Sequence, residues 1–364
     1  MRNHNLQYNS EEMKTEYEKV VSYLKDSGPN LFKGVRSDKP LIINTHINAR
    51  FIKLRLQAKD SFQLDSIKII DKNGQNVSSG GNTIISSFFN DLEKYDGRNF
   101  LARTGDGGCG FHTKNEDNPW LVIDLKDKYS VEQIIINNRD DNFYKRALSL
   151  CVESSGDLTN WTTIYDNWQY IKQYKNGQRS EFENCLLYAS SFCFDKTKPF
   201  VDKLKKLGRD TEALVAVDYI NKIVSEEGIA IGPHGFTETF GLASVERKEQ
   251  VYSELSKLLH LLNEKFQVPA FVSSGTLLGI VRDGQLIAHD DDLDICYISQ
   301  EVEKSEILRE REEIVDFLDR NGYQVKNSNV AHLWCRSPSG IMVDIFTGFI
   351  EEGFCSMNPF SKKD

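Results

Sequence analysis

The sequence predicts two domains of different class, an N-terminal antiparallel β-sandwich (jelly-roll-like) followed by a C-terminal α/β domain. Three observations carry this. The chain has 364 residues, more than the roughly 100–200 of an ordinary single domain. Between about residues 31 and 190, short apolar runs recur at roughly 8–15-residue spacing with Gly, Asn and Asp between them. After residue 195 the apolar spacing becomes helical and alternates with short strands.

In chain order, residues 1–30 hold a helix. Met13, Tyr17, Val20, Val21 and Leu24 share one helical face, and Ser-Gly-Pro stops it near Gly28. Residues 31–190 form the sandwich, with strands expected at LIINTHI, ARFIKLRL, DSIKIID, WLVIDL, VEQIIINN, LSLCVES and WTTIYD. Residues 191–210 are expected as a linker. Residues 211–364 form the α/β domain. Its helices run through Leu214, Val217, Ile220 and Val224, through Val251, Leu255, Leu258, Leu259, Leu262 and Phe266, and over about 302–320. Its strands are Ala270–Val272, Asp294–Ile298, Tyr323–Val325 and Met342–Phe346. The close of the chain on Asn-Pro-Phe-Ser-Lys-Lys-Asp, about 20 residues after Asp344, reads as a cut within a domain.

With 45 Lys+Arg against 54 Asp+Glu, the net charge is −9, which argues against a sequence-independent nucleic-acid binder. No run reaches the roughly 18 apolar residues of a membrane span, and the N-terminus has no apolar signal core. The seven cysteines, Cys109, Cys151, Cys185, Cys193, Cys296, Cys335 and Cys355, are odd in number and lack a C-x-x-C pair. That pattern fits reduced thiols, and the expectation is a cytoplasmic protein.

The most informative stretch runs from Phe271 to Ile298. Asp290, Asp291, Asp292 and Asp294 lead straight into an apolar strand, where Asp292 and Asp294 face one way and Leu293 and Ile295 the other. Clustered carboxylates beside a core repel each other and resist desolvation, and a divalent cation relieves both costs. Magnesium or manganese suits the set, since such an ion takes one or two carboxylates and completes its shell with water and phosphate oxygens. The run lacks the Gly and closing Glu of an EF-hand, and a solvated acidic turn is the competing reading. Ser274, Gly275 and Thr276 follow a strand and open a helix, where backbone N–H groups can face a phosphate. Asp344, alone in an apolar strand, is expected to face a site and complete a three-carboxylate set. His332, Trp334 and Arg336, just before it, are further candidates, with a simple strand-turn role for His332 and Arg336 as the competing reading.

The run GTLLGIVRDGQLIAHDDDLDI closely resembles the LicD-like family, relatives of fukutin-related proteins, whose hallmark is G-T-L-L-G-x-x-R-x-x-x-[FL]-I-P-W-D-D-D-[IL]-D. The likeness covers roughly residues 245–350 and implies a nucleotidyltransferase-type fold. It implies Asp292, Asp294 and Asp344 as metal ligands with Asp290 beside them, Asp344 as general base on an acceptor hydroxyl, and Ser274, Gly275, Thr276 and Arg282 on the donor phosphates. Where the family has Pro-Trp, this chain has Ala288-His289. Donor contact or proton transfer by His289 and a polar supporting role both stay open. The departure bears on any choline pocket, which aromatic faces usually line, and Trp334 and Tyr297 stand near enough in sequence to substitute.

In the first domain, NPWLVIDL, a later NRDD and SGDLTNW resemble the discoidin-like (coagulation-factor C-type, galactose-binding-like) sandwich over roughly residues 35–170. That likeness implies glycan binding and, in some relatives, a structural calcium, for which the loop Thr104–Gly110 with Asp106 is the candidate. A metal-free Gly-rich turn is the competing reading. Trp120 and Trp161 are either sugar-stacking or core residues, and Arg139, Asp140 and Asp141 mark a loop.

Together the resemblances imply a bacterial, metal-dependent transferase. It would move a phosphocholine-, phosphoethanolamine- or methyl-phosphoramidate-type group from a CDP-linked donor to a sugar hydroxyl of capsular or other surface polysaccharide, releasing CMP. Two alternatives stay open: an NTP-dependent nucleotidyltransferase of the same fold, and a non-catalytic glycan-binding protein.

Overall fold

A computed structural model describes residues 10–33, 40–139, 143–232, 235–329, 331–351 and 354–356. Asp140, Asp141 and the terminal Asn-Pro-Phe-Ser-Lys-Lys-Asp lie outside the described residues. The chain divides into two compact units, Met1–Ile223 and Val224–Asp364. No helix among the described residues is long and apolar enough to cross a membrane.

The first unit opens on α1 (Ser10–Ser27), which buries Met13 and Val20. Its strands are β1 (Leu41–Leu56), β2 (Lys59–Ser61), β3 (Ser66–Asp71), β4 (Asn82–Ile85), β5 (Asn115–Asp117), β6 (Trp120–Asn137), β7 (Leu150–Ser155) and β8 (Thr162–Asp166), with helix α2 (Arg98–Ala102) between β4 and β5. An antiparallel sheet runs β3-β6-β1-β7-β8, with β4 also on β6, and β2 pairs with β5. Two pairs of expected strands are fused: LIINTHI with ARFIKLRL into β1, and WLVIDL with VEQIIINN into β6. Neither junction holds the Gly or Pro a tight turn needs. Bulges at Asn44/Ile47 and Ala49/Phe51 absorb the irregularity while pairing continues. Ile52, Leu54, Leu121, Ile123 and Val152 share a core with Phe62, Phe100 and Phe111. The Phe111 ring meets the other two edge-on at 4.9 and 5.0 Å.

Helices α3 (Gln169–Gln173), α4 (Glu181–Ser190), α5 (Phe194–Lys206) and α6 (Asp210–Val224) follow. The expected linker at 191–210 is therefore mostly α5, which buries Thr197, Phe200, Val201 and Leu204. That helical spacing gives it a face to pack, and Phe200 stacks on Phe182 of α4 at 5.3 Å. On α6 the buried stripe is Ala213, Ala216, Ile220 and Val224, while Leu214 is 69% exposed, because the helix presents its small alanines rather than Leu214 to its neighbours.

The second unit contains β9 (Ala230–Ile231), β10 (Phe236–Thr237), α7 (Val245–His260), β11 (Ala270–Val272), α8 (Ser274–Asp283), β12 (Asp292–Ile298), α9 (Lys304–Arg320), β13 (Gln324–Asn329), β14 (His332–Arg336), β15 (Met342–Glu351) and β16 (Phe354–Ser356). The main sheet runs β11-β12-β15-β14-β13, with β16 on β15. Only β12 and β15 in it pair in parallel. One face buries Leu293, Ile295, Leu333, Val343 and Ile345 against Val251, Leu255 and Leu258 of α7 and Ile314 and Leu318 of α9. The other face carries the polar residues, as strand alternation requires.

In the first unit, burial and the nearby Arg146 and Arg139 push the His112 imidazole down to about 4 from an ordinary 6.5. The unfolded chain therefore binds a proton between those values that the folded chain does not, so stability falls as pH drops from about 6.5 toward 4. Urea midpoints between pH 7 and pH 4.5 should fall more steeply for the wild type than for His112→Phe, and parallel slopes would refute this assignment.

Candidate functional site

The parallel pairing of β12 with β15 sets Asp294 directly opposite Asp344 and Asp292 opposite Met342. Neighbouring strands lie about 4.8 Å apart, where two unit charges repel by about 3 kcal/mol at an effective dielectric of about 20. Burial raises the Asp294 carboxyl above its ordinary value, and the charges of Asp344 and Asp290 raise it further. Asp344 lies next to Trp334 in the β14 register, and its Oδ2 is 3.0 Å from His332 Nε2. The His332 ring stacks on Phe346 at 4.9 Å. The other Asp344 oxygen, Oδ1, is buried without a hydrogen-bond partner.

The preceding turn is built around Asp294. Thr276 N–H donates to Asp294 Oδ2 at 3.2 Å, and the Asp294 N–H donates to Thr276 Oγ1 at 2.7 Å. The Gly275 N–H also bonds this carboxylate. A Cβ on Gly275 would stand 2.8 Å from Asp290 Oδ2 and 3.2 Å from Asp294 Oδ2, so glycine leaves the space in which these two carboxylates approach. Ser274, at φ 43°, takes the backbone strain of this entry. Oxygens of Asp290, Asp291 and Asp292 also lie within 4.8 Å of one another.

Sequence reasoning therefore finds Asp290, Asp291, Asp292, Asp294 and Asp344 on one face, joined by His332, Trp334 and Arg336, which alternate outward along β14. Two expectations are corrected. The N–H groups of Gly275 and Thr276 hold Asp294 rather than standing open to a donor phosphate. Arg282 sits in the last turn of α8, roughly 10 Å along the axis from Gly275, and its Nη2 is bonded to Asp283 at 2.6 Å. That exposed pair does not join the carboxylates. His289 is exposed in the turn before the acidic run.

A group missed from the sequence is Arg311, almost fully buried on α9, whose Nη2 donates to the His332 carbonyl and Nη1 to Thr347 Oγ1, each at 2.6 Å. It fixes the strand end that carries His332. Its signal was present: Ile307, Arg311, Ile314 and Leu318 form a single helical stripe, all buried.

The donor set fits a divalent cation. It is all oxygen, crowded, partly desolvated and short of counter-charge, with one orphaned carboxylate oxygen. The Thr104–Gly110 loop does not fit. Its carboxylate, Asp106, is paired with Arg103, which also bonds Asp65 at 2.5 Å, so calcium would have to displace a guanidinium. On the outer face of the first unit's sheet, Lys53, Ile84, Trp120, Val122, Leu158 and Trp161 line an open cavity of about 350 Å³. Lys53 Nζ lies 4.9 Å from the Trp161 ring centre. Both indoles line this cavity, half-buried, rather than filling the core.

Two stretches match known domain families. Residues 267–362 match the LicD/FKTN/FKRP nucleotidyltransferase domain, and residues 105–184 match the NedA-like galactose-binding domain. The chain is thus similar to both in the order its motifs imply, an antiparallel-sheet region followed by a mixed helix and sheet region. No curated protein matches the chain.

Gly275→Ala places a methyl between Asp290 and Asp294. We expect manganese affinity, read by isothermal titration, to fall at least about tenfold with little change in Tm. Unchanged affinity would remove the Gly275 gap from the metal site.

Proposed function

We propose that the protein is a metal-dependent transferase. It moves a substituted phosphoryl group from a CDP-activated donor to a sugar hydroxyl of capsular or other surface polysaccharide and releases CMP. The observation that carries this reading is the side-by-side placement of Asp294 and Asp344, with Asp290 brought to Asp294 across Gly275. The likeness to the LicD/FKTN/FKRP domain supports phosphotransfer to glycans as the general activity.

In this mechanism Asp294, Asp344 and Asp290, with Asp292 beside them, would hold magnesium or manganese, whose charge would offset that of the donor phosphate and the departing CMP. The Gly275 and Thr276 N–H groups and Thr276 Oγ1 keep Asp294 aimed at the site. Asp344 is the general base on the acceptor hydroxyl, with His332 Nε2 3.0 Å from its Oδ2. In the first unit, Trp120 and Trp161 line a cavity that would bind a glycan by stacking, a role the galactose-binding likeness supports. The odd cysteine count without a C-x-x-C pair supports a reducing, cytoplasmic setting.

CMP release from CDP-choline, CDP-ethanolamine and related donors, with capsular oligosaccharides as acceptors, tests the proposal. We expect turnover only with divalent metal, and a loss of at least about 100-fold in Asp294→Asn and Asp344→Asn. Removing one of two facing charges should leave the Tm of the metal-free variants equal or higher. Pyrophosphate release from an NTP would instead establish a nucleotidyltransferase. Glycan binding with no turnover from any donor would establish a binding protein.

A further inference from the structure

We propose that Arg247 and Arg336 form an anion subsite for the second phosphoryl group of a diphosphate, beside the carboxylate cluster. This deepens the transferase reading and rests on it. Arg336 lies on the site face of β14, opposite Met342, and Met342 is opposite Asp292. Two interstrand steps of about 4.8 Å therefore separate the Arg336 and Asp292 backbones. Arg247 comes from the first turn of α7, where the Ser244 side chain caps the helix by accepting from its N–H.

The two side chains converge on the β14–β15 turn. A Cβ on Gly340, at φ 79°, would stand 3.8 Å from Arg336 Nη2 and 4.0 Å from Arg247 Nη2, so these atoms lie within about 8 Å of each other. Arg247 Nη1 donates to the Ser339 carbonyl at 2.9 Å, which steers the guanidinium over the turn. Its nearest carboxylate contact, Glu238, is long at 3.9 Å. The side chain of half-buried Arg336 has no ion pair or hydrogen bond among the described residues.

Two permanently charged guanidiniums this close repel one another, one of them without a counter-ion, and an anion between them relieves that repulsion. The positive end of the α7 dipole adds to the same spot. A guanidinium fork matches phosphate oxygens. A cation on the aspartates and the arginine pair beyond them would share a diphosphate, one phosphoryl group each, whereas a monophosphate reaches only one of the two. The structure thereby gives phosphate recognition to residues far in sequence from the acidic motif.

The test is isothermal titration of the full chain with inorganic pyrophosphate and with orthophosphate, in the presence of manganese. Pyrophosphate should bind at least tenfold tighter than orthophosphate. Arg336→Gln and Arg247→Gln should each erode that preference about tenfold without changing manganese affinity. Arg336→Lys, which keeps the charge and loses the fork, should fall between and covers the case in which the glutamine variant does not fold. Equal pyrophosphate affinity in wild type and variants overturns the subsite, whatever the enzyme's turnover. Loss of pyrophosphate binding in the variants, in a protein that releases CMP from no donor, upholds the subsite and overturns the transferase reading instead.

Discussion

The site depends on one constraint, the parallel pairing of β12 with β15. Any other register would carry Asp344 away from Asp294, and a slip of one residue would turn it into the core. The register is fixed from the opposite face, where Leu293, Ile295, Val343 and Ile345 are fully buried against α7 and α9. Apolar burial of roughly 1.5–3 kcal/mol per side chain outweighs the repulsion of two facing carboxylates. The hydrophobic core thus imposes the unfavourable charge arrangement, and a cation can exploit it.

Once the aspartates are forced together, the surrounding polar groups divide into those that hold carboxylates and those left for a ligand. The start of α8 belongs to the first class: its N–H groups satisfy Asp294, stabilising its ionised form against burial and neighbouring charge. His332 Nε2 stands 3.0 Å from one oxygen of Asp344. Arg311 holds the His332 carbonyl, so the placement of the His332 backbone beside Asp344 reaches down to a buried guanidinium on α9. The Asp344 oxygen left over is what a ligand-binding arrangement needs, because a fully bonded carboxylate has little to offer a metal.

The sequence was most legible where periodicity and local chemistry coincide. The Asp292 and Asp294 alternation, the helix after Ser273 and the isolated Asp344 could each be read from a few neighbouring residues, and the structure assembles them. Continuity was less legible. Two strands each were expected where β1 and β6 run through, because bulges allow a long strand to carry polar interruptions without ending. The α5 segment falls where the strand pattern gives way to helical spacing and so reads as a linker, yet it buries Phe200, Val201 and Leu204. Arg311 was hidden for the related reason that a charged residue on a charged helix looks solvated until its stripe is followed.

Arg282 shows where a local motif stops being informative about geometry. In sequence it stands between the glycine turn and the aspartates, so proximity along the chain suggests proximity in space. An α-helix advances about 1.5 Å per residue, and the intervening residues instead carry Arg282 away from the turn, to the far end of α8 and onto Asp283. The sheet does the opposite for Arg336, bringing it to the same face through two strand pairings that no local spacing encodes. Under the proposed function, a carboxylate site that takes an anionic donor would need positive charge beyond a bound metal. In this fold Arg336 of β14 and Arg247 at the start of α7 carry such charge, and it is long-range strand pairing, rather than the continuous motif, that brings Arg336 to the aspartate face.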